Sequence, residues 1–457
     1  MSKIYDIAIL GSGPGGYVAA IRAAALGLSV CLIEKGALGG VCLNEGCIPT
    51  KTLLRSAHLF QEIKHAAALG IKVDNIVFDF DVLMQRKKKV VDQLKKGILY
   101  LLKKRGVAII NGFGRITDLN TIDVQSEKIR FEKCIIAVGS EPSDLPGINF
   151  DEKAGILSSG HMLQLKNIPK SLLIVGGGVI GCEFADIFNS LGCEVTMIEL
   201  TDQILPKEDA EIARSLEREL QKQGIKIFTK TKAARINKLT VGGFDVVTED
   251  GKKINREKIL LCVGRVPNRQ DCGLDEAGIK HNNGTIEVSE SMQTNIKNFY
   301  AVGDVLGKTY LAHAASREGI VAVENITGTP SRINYDHVPR CVYTDPEVAS
   351  VGISEAAARQ RNIKIKVAKF PLAASGRAVV ENKAQGMVKL ISDSEDNIIG
   401  AALCSSIASE LIHELCVAME SGIKSAQFSE IVHAHPTLSE SIMEAAQVLH
   451  SKAIHIL

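Results

Sequence analysis

The sequence predicts an α/β protein in which two copies of one strand–loop–helix–strand unit precede a C-terminal α+β domain. Its 457 residues exceed what one hydrophobic core holds, and at roughly 100 to 200 residues per domain they predict two to four domains. The pattern of the segment from Tyr5, YDIAILGSGPGGYVAAIRAAALGLSVCLIEK, is repeated from Ser171 in SLLIVGGGVIGCEFADIFNSLGCEVTMIEL. After Tyr335 the pattern changes to alternating strands and then to a helical tail, which indicates a different kind of domain.

Composition and charge indicate a globular protein of the cytoplasm. The formal net charge of +2 gives no field that would hold a polyanion, so we expect no nucleic-acid partner. No run reaches the roughly 18 apolar residues of a membrane helix, and no cleavage site follows the first apolar run, so we expect a soluble chain without a membrane partner. The 11 cysteines are an odd number scattered over the whole length, which favours reduced thiols over a secreted disulfide framework.

The first unit contains a glycine-rich loop between its first strand and its helix. Gly11, Gly13 and Gly16 form the pattern G-x-G-x-x-G, in which the first glycine makes the turn, the second admits a pyrophosphate and the third allows close helix packing. The following helix begins with amides that favour phosphate groups. Glu34 ends the second strand, as expected of a Rossmann-like dinucleotide-binding unit.

The second unit repeats this arrangement with Gly176, Gly178 and Gly181, and its acid is Glu199. A carboxylate at that strand end accepts hydrogen bonds from a ribose 2′-hydroxyl and repels a 2′-phosphate, so Glu199 favours NAD over NADP. The alternative is a surface glutamate at the end of a strand. The repetition itself makes two dinucleotide sites the better interpretation.

Glycine and proline breaks follow two apolar runs, at 140–146 and 264–267, and they indicate crossovers between domains. A third apolar strand, 298–302, runs into Gly303 and Asp304. A separate basic stretch from Arg86 to Arg105 has helical spacing and predicts one long helix with a solvated face. The expected divisions of the chain are 1–145, 146–265, a central segment 266–336, and 337–457.

Two cysteines stand between the first unit and its next helix, in GGVCLNEGCIPTK. Cys42 and Cys47 have no second close Cys or Cys/His pair elsewhere in the chain, so we expect no zinc or other metal site. Their spacing is about 1.4 helical turns, so a disulfide between them would need a distorted first turn, which neighbouring glycines permit. A position near a helix start also favours a thiolate.

Taken together, these motifs resemble the flavoprotein disulfide reductases over essentially the whole chain. The resemblance rests on GSGPGGYVAA, GGVCLNEGCIPTKTLL, IVGGGVIGCEFA, AVGDV and HAHPTLSESIMEA. The cysteine segment is highly specific, whereas the glycine loops are less so. The family implies FAD and NAD as cofactors, with 1–145 binding FAD, 146–265 binding NAD, 266–336 completing the FAD site and 337–457 forming a dimer.

Carried onto matching positions, the resemblance assigns roles to individual residues. It makes Cys42 the sulfur that exchanges with substrate and Cys47 the sulfur against the flavin. Lys51 would lie near the flavin ring, although a solvent-facing lysine in a first helical turn is the alternative. Further positions expected to line FAD or NAD are Asp304, which would hold the ribityl chain, Ala312, which would open a helix aimed at the ring, and Gly114, Glu183 and Gly264.

Near the C-terminus, the same resemblance pairs His435 with Glu440, so that the imidazole can take a proton from a substrate thiol. The alternative is structural, because Thr437-Leu438-Ser439-Glu440 is also a good helix capping box. His433 is either a support for this pair or a structural residue. In the family the histidine acts on the disulfide of the other subunit, which implies an obligate homodimer.

Within the family, the chain is most similar to the members that oxidise protein-bound dihydrolipoamide to lipoamide and reduce NAD⁺. This implies lipoyl domains and the acyltransferase core of a 2-oxoacid dehydrogenase complex as partners. One alternative is an NAD(P)H-dependent reductase of glutathione or a related thiol, which Glu199 disfavours. Another is a flavin-bound structural or sensing subunit, whose cysteine pair would be redox-silent.

Overall fold

The computed structural model describes residues 3–145, 147–240, 242–268 and 270–456. The expected domain limits at residues 1, 146 and 457 lie outside the described residues. The strands are β1 (Ile4–Leu10), β2 (Val30–Glu34), β3 (Ala108–Asn111), β4 (Gly114–Asp118), β5 (Thr121–Val124), β6 (Glu127–Ile136), β7 (Ser140–Pro142), β8 (Ile156–Leu157), β9 (Ser171–Val175), β10 (Glu194–Ile198), β11 (Lys226–Phe228), β12 (Ala233–Lys238), β13 (Phe244–Thr248), β14 (Lys253–Arg256), β15 (Lys258–Leu261), β16 (Arg265–Pro267), β17 (His281–Asn282), β18 (Thr285–Ile286), β19 (Phe299–Ala301), β20 (Arg340–Val342), β21 (Glu347–Gly352), β22 (Ile365–Pro371), β23 (Met387–Asp393) and β24 (Ile398–Ser405).

The α-helices are α1 (Pro14–Ala25), α2 (Gly40–Glu45), α3 (Cys47–Lys64), α4 (Phe80–Lys104), α5 (Ser159–Met162), α6 (Val179–Ser190), α7 (Ala210–Lys222), α8 (Ala312–Ile326), α9 (Glu355–Gln360), α10 (Gly376–Val380), α11 (Ala408–Glu420), α12 (Ser425–Ser429) and α13 (Glu440–Leu449). Short 3₁₀ helices cover Ala66–Leu69, Gly303–Leu306, Tyr335–His337 and Leu372–Ala374. The chain forms two compact units. The first contains the described residues of Met1–Leu53, Asp79–Ser143 and Gly264–Ile333, and the second those of Leu54–Phe78, Asp144–Val263 and Asn334–Leu457.

The first unit is built on a sheet with strand order β3-β2-β1-β6-β5-β4, and β19 lies beside β6. Strands β3, β2, β1, β6 and β19 are parallel to one another, whereas β5 and β4 return antiparallel. Residues Ile7–Leu10 of β1 are all buried, as expected for a parallel strand covered on both faces. Phe131 and Phe299 pack edge to face in this core, with ring centroids 5.7 Å apart. The first predicted Rossmann-like unit is thus confirmed.

The second unit contains a parallel sheet with order β11-β10-β9-β15-β8 and a separate antiparallel sheet β12-β13-β14. The order β11-β10-β9-β15 repeats β3-β2-β1-β6 of the first unit, which confirms the second Rossmann-like unit. Helix α6 follows β9 as α1 follows β1.

The pattern change after Tyr335 corresponds to an antiparallel sheet with order β20-β21-β24-β23-β22. Helices α11 and α13 pack on this sheet, and their apolar faces share one core with it. The predicted C-terminal α+β fold is confirmed. The long basic helix is also confirmed, although α4 begins at Phe80 instead of Arg86, because the Asp79 side chain caps it by accepting from the Val82 amide at 2.9 Å.

A buried lysine in the second unit contacts three carboxylates. Lys389 on β23 is only 2% exposed in its side chain, and its Nζ lies 2.8 Å from Asp209, 2.8 Å from Glu211 and 2.6 Å from Glu355. The three donors of one ammonium group thus each find a carboxylate. Asp209 is itself buried, so Lys389 supplies the counter-charge of a buried carboxylate.

Replacing Lys389 by methionine is therefore expected to lower the free energy of unfolding by about 3–5 kcal/mol, since the buried Asp209 carboxylate loses its counter-charge. The matched control is Lys369→Met. Lys369 contacts Glu211 at 2.6 Å but is 47% exposed, so its loss should cost less than about 1 kcal/mol. Urea unfolding midpoints and slopes of the two variants would check this, and equal losses would contradict it.

Candidate active site

The two cysteines are held by two short stretches of helix. Cys42 lies in α2 and Cys47 is the first residue of α3, with Gly46 between the helices at φ −140° and ψ −113°. Gly39 and Gly40 have φ angles of 99° and 64°, which only glycine adopts at little cost. Gly46 thus interrupts the helical geometry between the two cysteines.

Both residues are thiols in this structure, and they are not equivalent. The pKa of Cys42 is raised, chiefly because its thiol donates a hydrogen bond to Cys47, and also because of burial and the negative charge of Cys47. The Lys51 ammonium acts in the opposite direction. In the reduced pair, these interactions favour the thiol form of Cys42.

The first glycine loop is shaped by close backbone contacts. Gly11 has φ 96°, and a methyl group on it would come within 2.3 Å of the Ala137 carbonyl oxygen. A methyl group on Gly16 would come within 1.9 Å of the Gly11 oxygen, whereas the space around Gly13 is open. That open side, at the start of α1, fits the approach of a pyrophosphate.

The second loop has the same geometry. Gly176 has φ 113°, with the Cys262 carbonyl oxygen 2.5 Å from a methyl group placed on it, and Gly181 packs equally closely on Gly176. The space around Gly178 is open, as it is around Gly13. The residues of both loops therefore fit a dinucleotide, one at α1 and one at α6.

The acid of each unit is bonded to its own glycine loop. Glu34 accepts from the Ser12 amide at 2.8 Å and from the Ser12 hydroxyl at 2.6 Å. Glu199 accepts from the Gly177 amide at 2.6 Å, and its other oxygen accepts from the Thr201 amide at 2.8 Å. Each carboxylate thus lies at the carboxyl end of its strand, beside the loop.

Asp304 belongs to a network that the sequence did not reveal. The Ser140 hydroxyl donates to Asp304 at 2.5 Å, and Arg265 donates from Nε to that hydroxyl and from Nη2 to the Ser140 carbonyl, both at 2.8 Å. Ser140 and Arg265 lie in the two glycine and proline breaks, which pair as strands β7 and β16. The sequence offered no signal for this pairing beyond the position of both breaks after apolar runs.

The Arg265 guanidinium also faces the cysteine segment. Burial lowers its pKa, against the opposing charges of Asp304, Tyr310, Cys47 and Glu45. Arg265 therefore offsets the negative charge that Glu45 brings between the cysteines.

The remaining predicted cofactor residues take distinct positions. Ala312 is the first residue of α8, and Gly114 opens β4 against side chains of β1, β2 and β5, where any side chain would collide with Leu10. Glu183 is buried on α6 and accepts from the Tyr343 amide at 3.1 Å. Gly264 has φ 139° and open space around it.

His435 and Glu440 form a hydrogen-bonded pair in the second unit, whereas both cysteines belong to the first. His435 Nδ1 lies 2.9 Å from Glu440 Oε1, and the imidazole is 77% exposed. Glu440 Oε2 accepts from the Thr437 amide at 2.7 Å, while the Thr437 hydroxyl donates to the Ala434 carbonyl. Burial alone would raise the pKa of Glu440, but the Thr437 amide and the His435 imidazole lower it.

The capping-box alternative is only partly right. Glu440 does reach back to the Thr437 amide, but α13 begins at Glu440 itself, and Ser439 is the N-cap without a side-chain cap bond. One carboxylate oxygen therefore supports the turn and the other holds the imidazole. His433 has other hydrogen-bond partners: its Nδ1 lies 2.8 Å from the Ile431 carbonyl and its Nε2 3.3 Å from Glu414.

Within 3–145, 147–240, 242–268 and 270–456, no group of three or more His, Cys, Asp or Glu residues is arranged to hold a metal ion. In the same ranges, no helix combines the length and the apolar character needed to cross a membrane.

Family models match most of the chain. The model described as pyridine nucleotide-disulphide oxidoreductase matches residues 5–319, and that of the dimerisation domain of the same family matches 338–446. Dihydrolipoyl dehydrogenase of Bacillus subtilis is 40% identical over the full length of both chains. The mitochondrial dihydrolipoyl dehydrogenase of Pisum sativum is 41% identical, covering 99% of this chain and 92% of its own.

Solved structures give the same result. The crystal structure of LpdA from Mycobacterium tuberculosis superposes with a TM-score of 0.90 at 30% identity, covering 98% of this chain and all of that one. The HOCl-induced flavoprotein disulfide reductase RclA from Escherichia coli superposes with a TM-score of 0.86 at 29% identity, covering 97% of this chain and all of its own. The two chains resemble this protein over nearly all of its length.

Proposed function

The chain belongs to the pyridine nucleotide-disulphide oxidoreductase family, and from that membership we propose that it oxidises dihydrolipoamide to lipoamide and reduces NAD⁺ through Cys42, Cys47 and FAD. The observation that carries this proposal is the match, from end to end and at about 40% identity, to dihydrolipoyl dehydrogenases of bacteria and plants. The unequal thiols of Cys42 in α2 and Cys47 at the start of α3 support it.

FAD and NAD are the cofactors of this enzyme class. FAD, when bound, supplies the two-electron carrier between the dithiol and NAD⁺. For this group we propose the first glycine loop with Glu34, together with Lys51, Gly114, Asp304 and Ala312. For NAD we propose the second loop with Glu183, Glu199 and Gly264. The division of the chain into 1–145, 146–265, 266–336 and 337–457 stays a prediction.

The thiol chemistry that we propose takes two steps. His435 takes the proton from one substrate thiol, and the resulting thiolate attacks Cys42 in the oxidised pair, which breaks the Cys42–Cys47 bond and leaves Cys47 as a thiolate. The second substrate thiol then closes lipoamide and releases Cys42, which takes that thiol's proton. The products are a Cys42 thiol beside a Cys47 thiolate, which is the protonation pattern favoured by their hydrogen bond.

The dimerisation domain makes the protein a homodimer. We propose that each His435 acts on the cysteine pair of the other subunit, which agrees with its exposed imidazole. As partners we propose lipoyl domains and the acyltransferase core of a 2-oxoacid dehydrogenase complex, and as compartment the cytoplasm. These assignments rest on the names of the relatives and on the scattered, reduced cysteines.

The purified holoenzyme tests the proposal directly. Dihydrolipoamide with NAD⁺ should give rapid nicotinamide reduction, and dihydrolipoamide with NADP⁺ should give little. Oxidised glutathione with NADPH is the competing substrate pair. Faster turnover of that pair than of dihydrolipoamide with NAD⁺ would replace the proposal by a glutathione-type reductase.

Glu199→Ala is expected to reduce kcat/KM for NAD⁺ about 10- to 100-fold, because hydrogen bonds to a charged group are worth about 1.5–3 kcal/mol. The preference over NADP⁺ should shrink accordingly. Glu194→Ala is the matched control, since Glu194 begins the same strand but is half exposed and pairs with Lys226 and Arg256. Steady-state kinetics with both nucleotides would check this, and an unchanged NAD⁺/NADP⁺ ratio would contradict it.

A further inference from the structure

Helix α3 begins with Cys47, and its later turns lie in the second unit, where they meet α6. His58 Nε2 lies 2.8 Å from Asp186 Oδ2. The Asp186 side chain is 2% exposed and that of His58 19% exposed, so this is a nearly buried pair. Asp186 belongs to the helix whose first residue follows Gly178 of the second glycine loop.

The contact continues along the same two helices. Gln61 Nε2 donates to the Ser190 carbonyl at 2.7 Å, and Asp186 also accepts from the Asp345 amide at 2.9 Å. Lys383 Nζ donates to Glu62 at 3.0 Å and lies 3.9 Å from Asp345 Oδ2. Three positions within one and a half turns of α3 therefore fix α6 and the segment around Asp345.

The Asp186 carboxylate requires a counter-charge because it is buried. A buried carboxylate without a counter-charge is costly, and His58 is the only cation recorded against it among the described residues. Glu183, one turn earlier on α6, accepts the Tyr343 amide, so the face of α6 toward residues 343–345 carries two acids. Without His58, that face would hold one of them uncompensated.

The charge on His58 depends on its whole surroundings. Burial alone would lower the pKa of His58, but the hydrogen bond and charge of Asp186, with the charge of Asp345, raise it above its ordinary value, while Lys383 opposes them. On β21, burial raises the pKa of Glu347, which the charge of His58 partly offsets. Glu62 on α3 pairs with Lys383. His58 thus stays protonated to higher pH than an isolated histidine, and the ion pair is lost as pH rises through its pKa.

We propose that His58 and Asp186 are positioning residues for the nicotinamide half-reaction, because their ion pair holds α6, and with it the Gly176–Gly181 loop, in the geometry that binds the nucleotide. This rests on the proposed function only in taking the second loop as the nicotinamide site. Nucleotide affinity should weaken as pH rises through the pKa of His58, whereas reaction with the dithiol should not follow it.

NADH binding to the holoenzyme is the first test, since it needs no dithiol substrate. The dissociation constant is measured between pH 6 and 9 for the wild type, His58→Gln and the control His65→Gln, an exposed histidine just beyond the same helix. We expect wild type and His65→Gln to lose affinity together with rising pH. His58→Gln should bind about five- to tenfold more weakly at pH 6.5 and show a flat profile.

A second readout separates this role from general damage. Reduction of the bound flavin by dihydrolipoamide, measured without nucleotide, should stay within about twofold of wild type in His58→Gln, since the cysteine pair is not altered. Asp186→Asn should reproduce the weaker NADH binding, and the double variant should be no worse than either single one. The proposal is overturned by a pH-independent NADH affinity in the wild type, by parallel profiles of wild type and His58→Gln, or by equal losses in both half-reactions. If NADH binding follows the expected pH profile but dihydrolipoamide is not oxidised, that result counts only against the proposed substrate.

Discussion

Replacing Cys47 by serine is expected to lower kcat for dihydrolipoamide oxidation by about 10⁴-fold or more, because the enzyme then has no Cys42–Cys47 disulfide to accept the two electrons of the dithiol. Cys42→Ser should cause a similar loss, since it removes the sulfur that the substrate attacks. Both variants should still bind flavin. Nicotinamide reduction in the steady state measures the loss.

The two serine variants should nevertheless differ in their spectra. The hydrogen bond favours the thiol form of Cys42, and the proposed mechanism leaves the thiolate on Cys47. Cys42→Ser should therefore retain a long-wavelength thiolate-to-flavin absorbance, and Cys47→Ser should lack it. Cys416→Ser, a partly buried thiol of α11, is the control and should keep wild-type turnover and spectrum. Several per cent of wild-type turnover in Cys47→Ser, or the absorbance band in Cys47→Ser instead of Cys42→Ser, would contradict the assigned roles.

The second large effect is expected at His435. His435→Gln should lower kcat/KM for dihydrolipoamide about 10²- to 10⁴-fold, the usual contribution of a general base. Glu440→Gln should cost about 10- to 100-fold, because a neutral amide cannot accept both from His435 and from the Thr437 amide.

Two controls isolate this effect. NADH oxidation with an artificial electron acceptor bypasses the thiols, so it should stay within about twofold in both variants. His433→Gln removes a neighbouring histidine whose partners are Glu414 and the Ile431 carbonyl, and it should lower dihydrolipoamide turnover only a few-fold. Equal losses in His433→Gln and His435→Gln would assign the segment a structural role.

The two glycine loops and the acids beside them could be predicted from local sequence. A glycine at the first position of each loop, a glycine five residues later and an acid at the next strand end appear in both copies, and the structure gives both copies the same geometry. The reason is steric. Close backbone contacts and a positive φ restrict residue type within a few positions, so the sequence itself records them.

Local sequence was less reliable at helix ends. Helix α4 starts at Phe80 and α13 at Glu440, and both starts differ from the positions that spacing or capping signals indicated. The position of a helix end depends on which backbone amides are hydrogen-bonded to an acceptor. Near Thr437, the Glu440 carboxylate is hydrogen-bonded both to a backbone amide and to an imidazole.

Short-range sterics and spacing encode the fold class and the two glycine loops with their acids, so these could be predicted from the residues, whereas the roles of the cysteine pair are what the family resemblance implies. Tertiary packing brought Arg265 to Ser140, 125 residues away, His58 to Asp186, 128 residues away, and three carboxylates to Lys389. These contacts join charges whose partners are set by how sheets and helices pack. No local pattern constrains a buried charge to one distant partner, since any opposite charge at that place would satisfy the same electrostatic requirement.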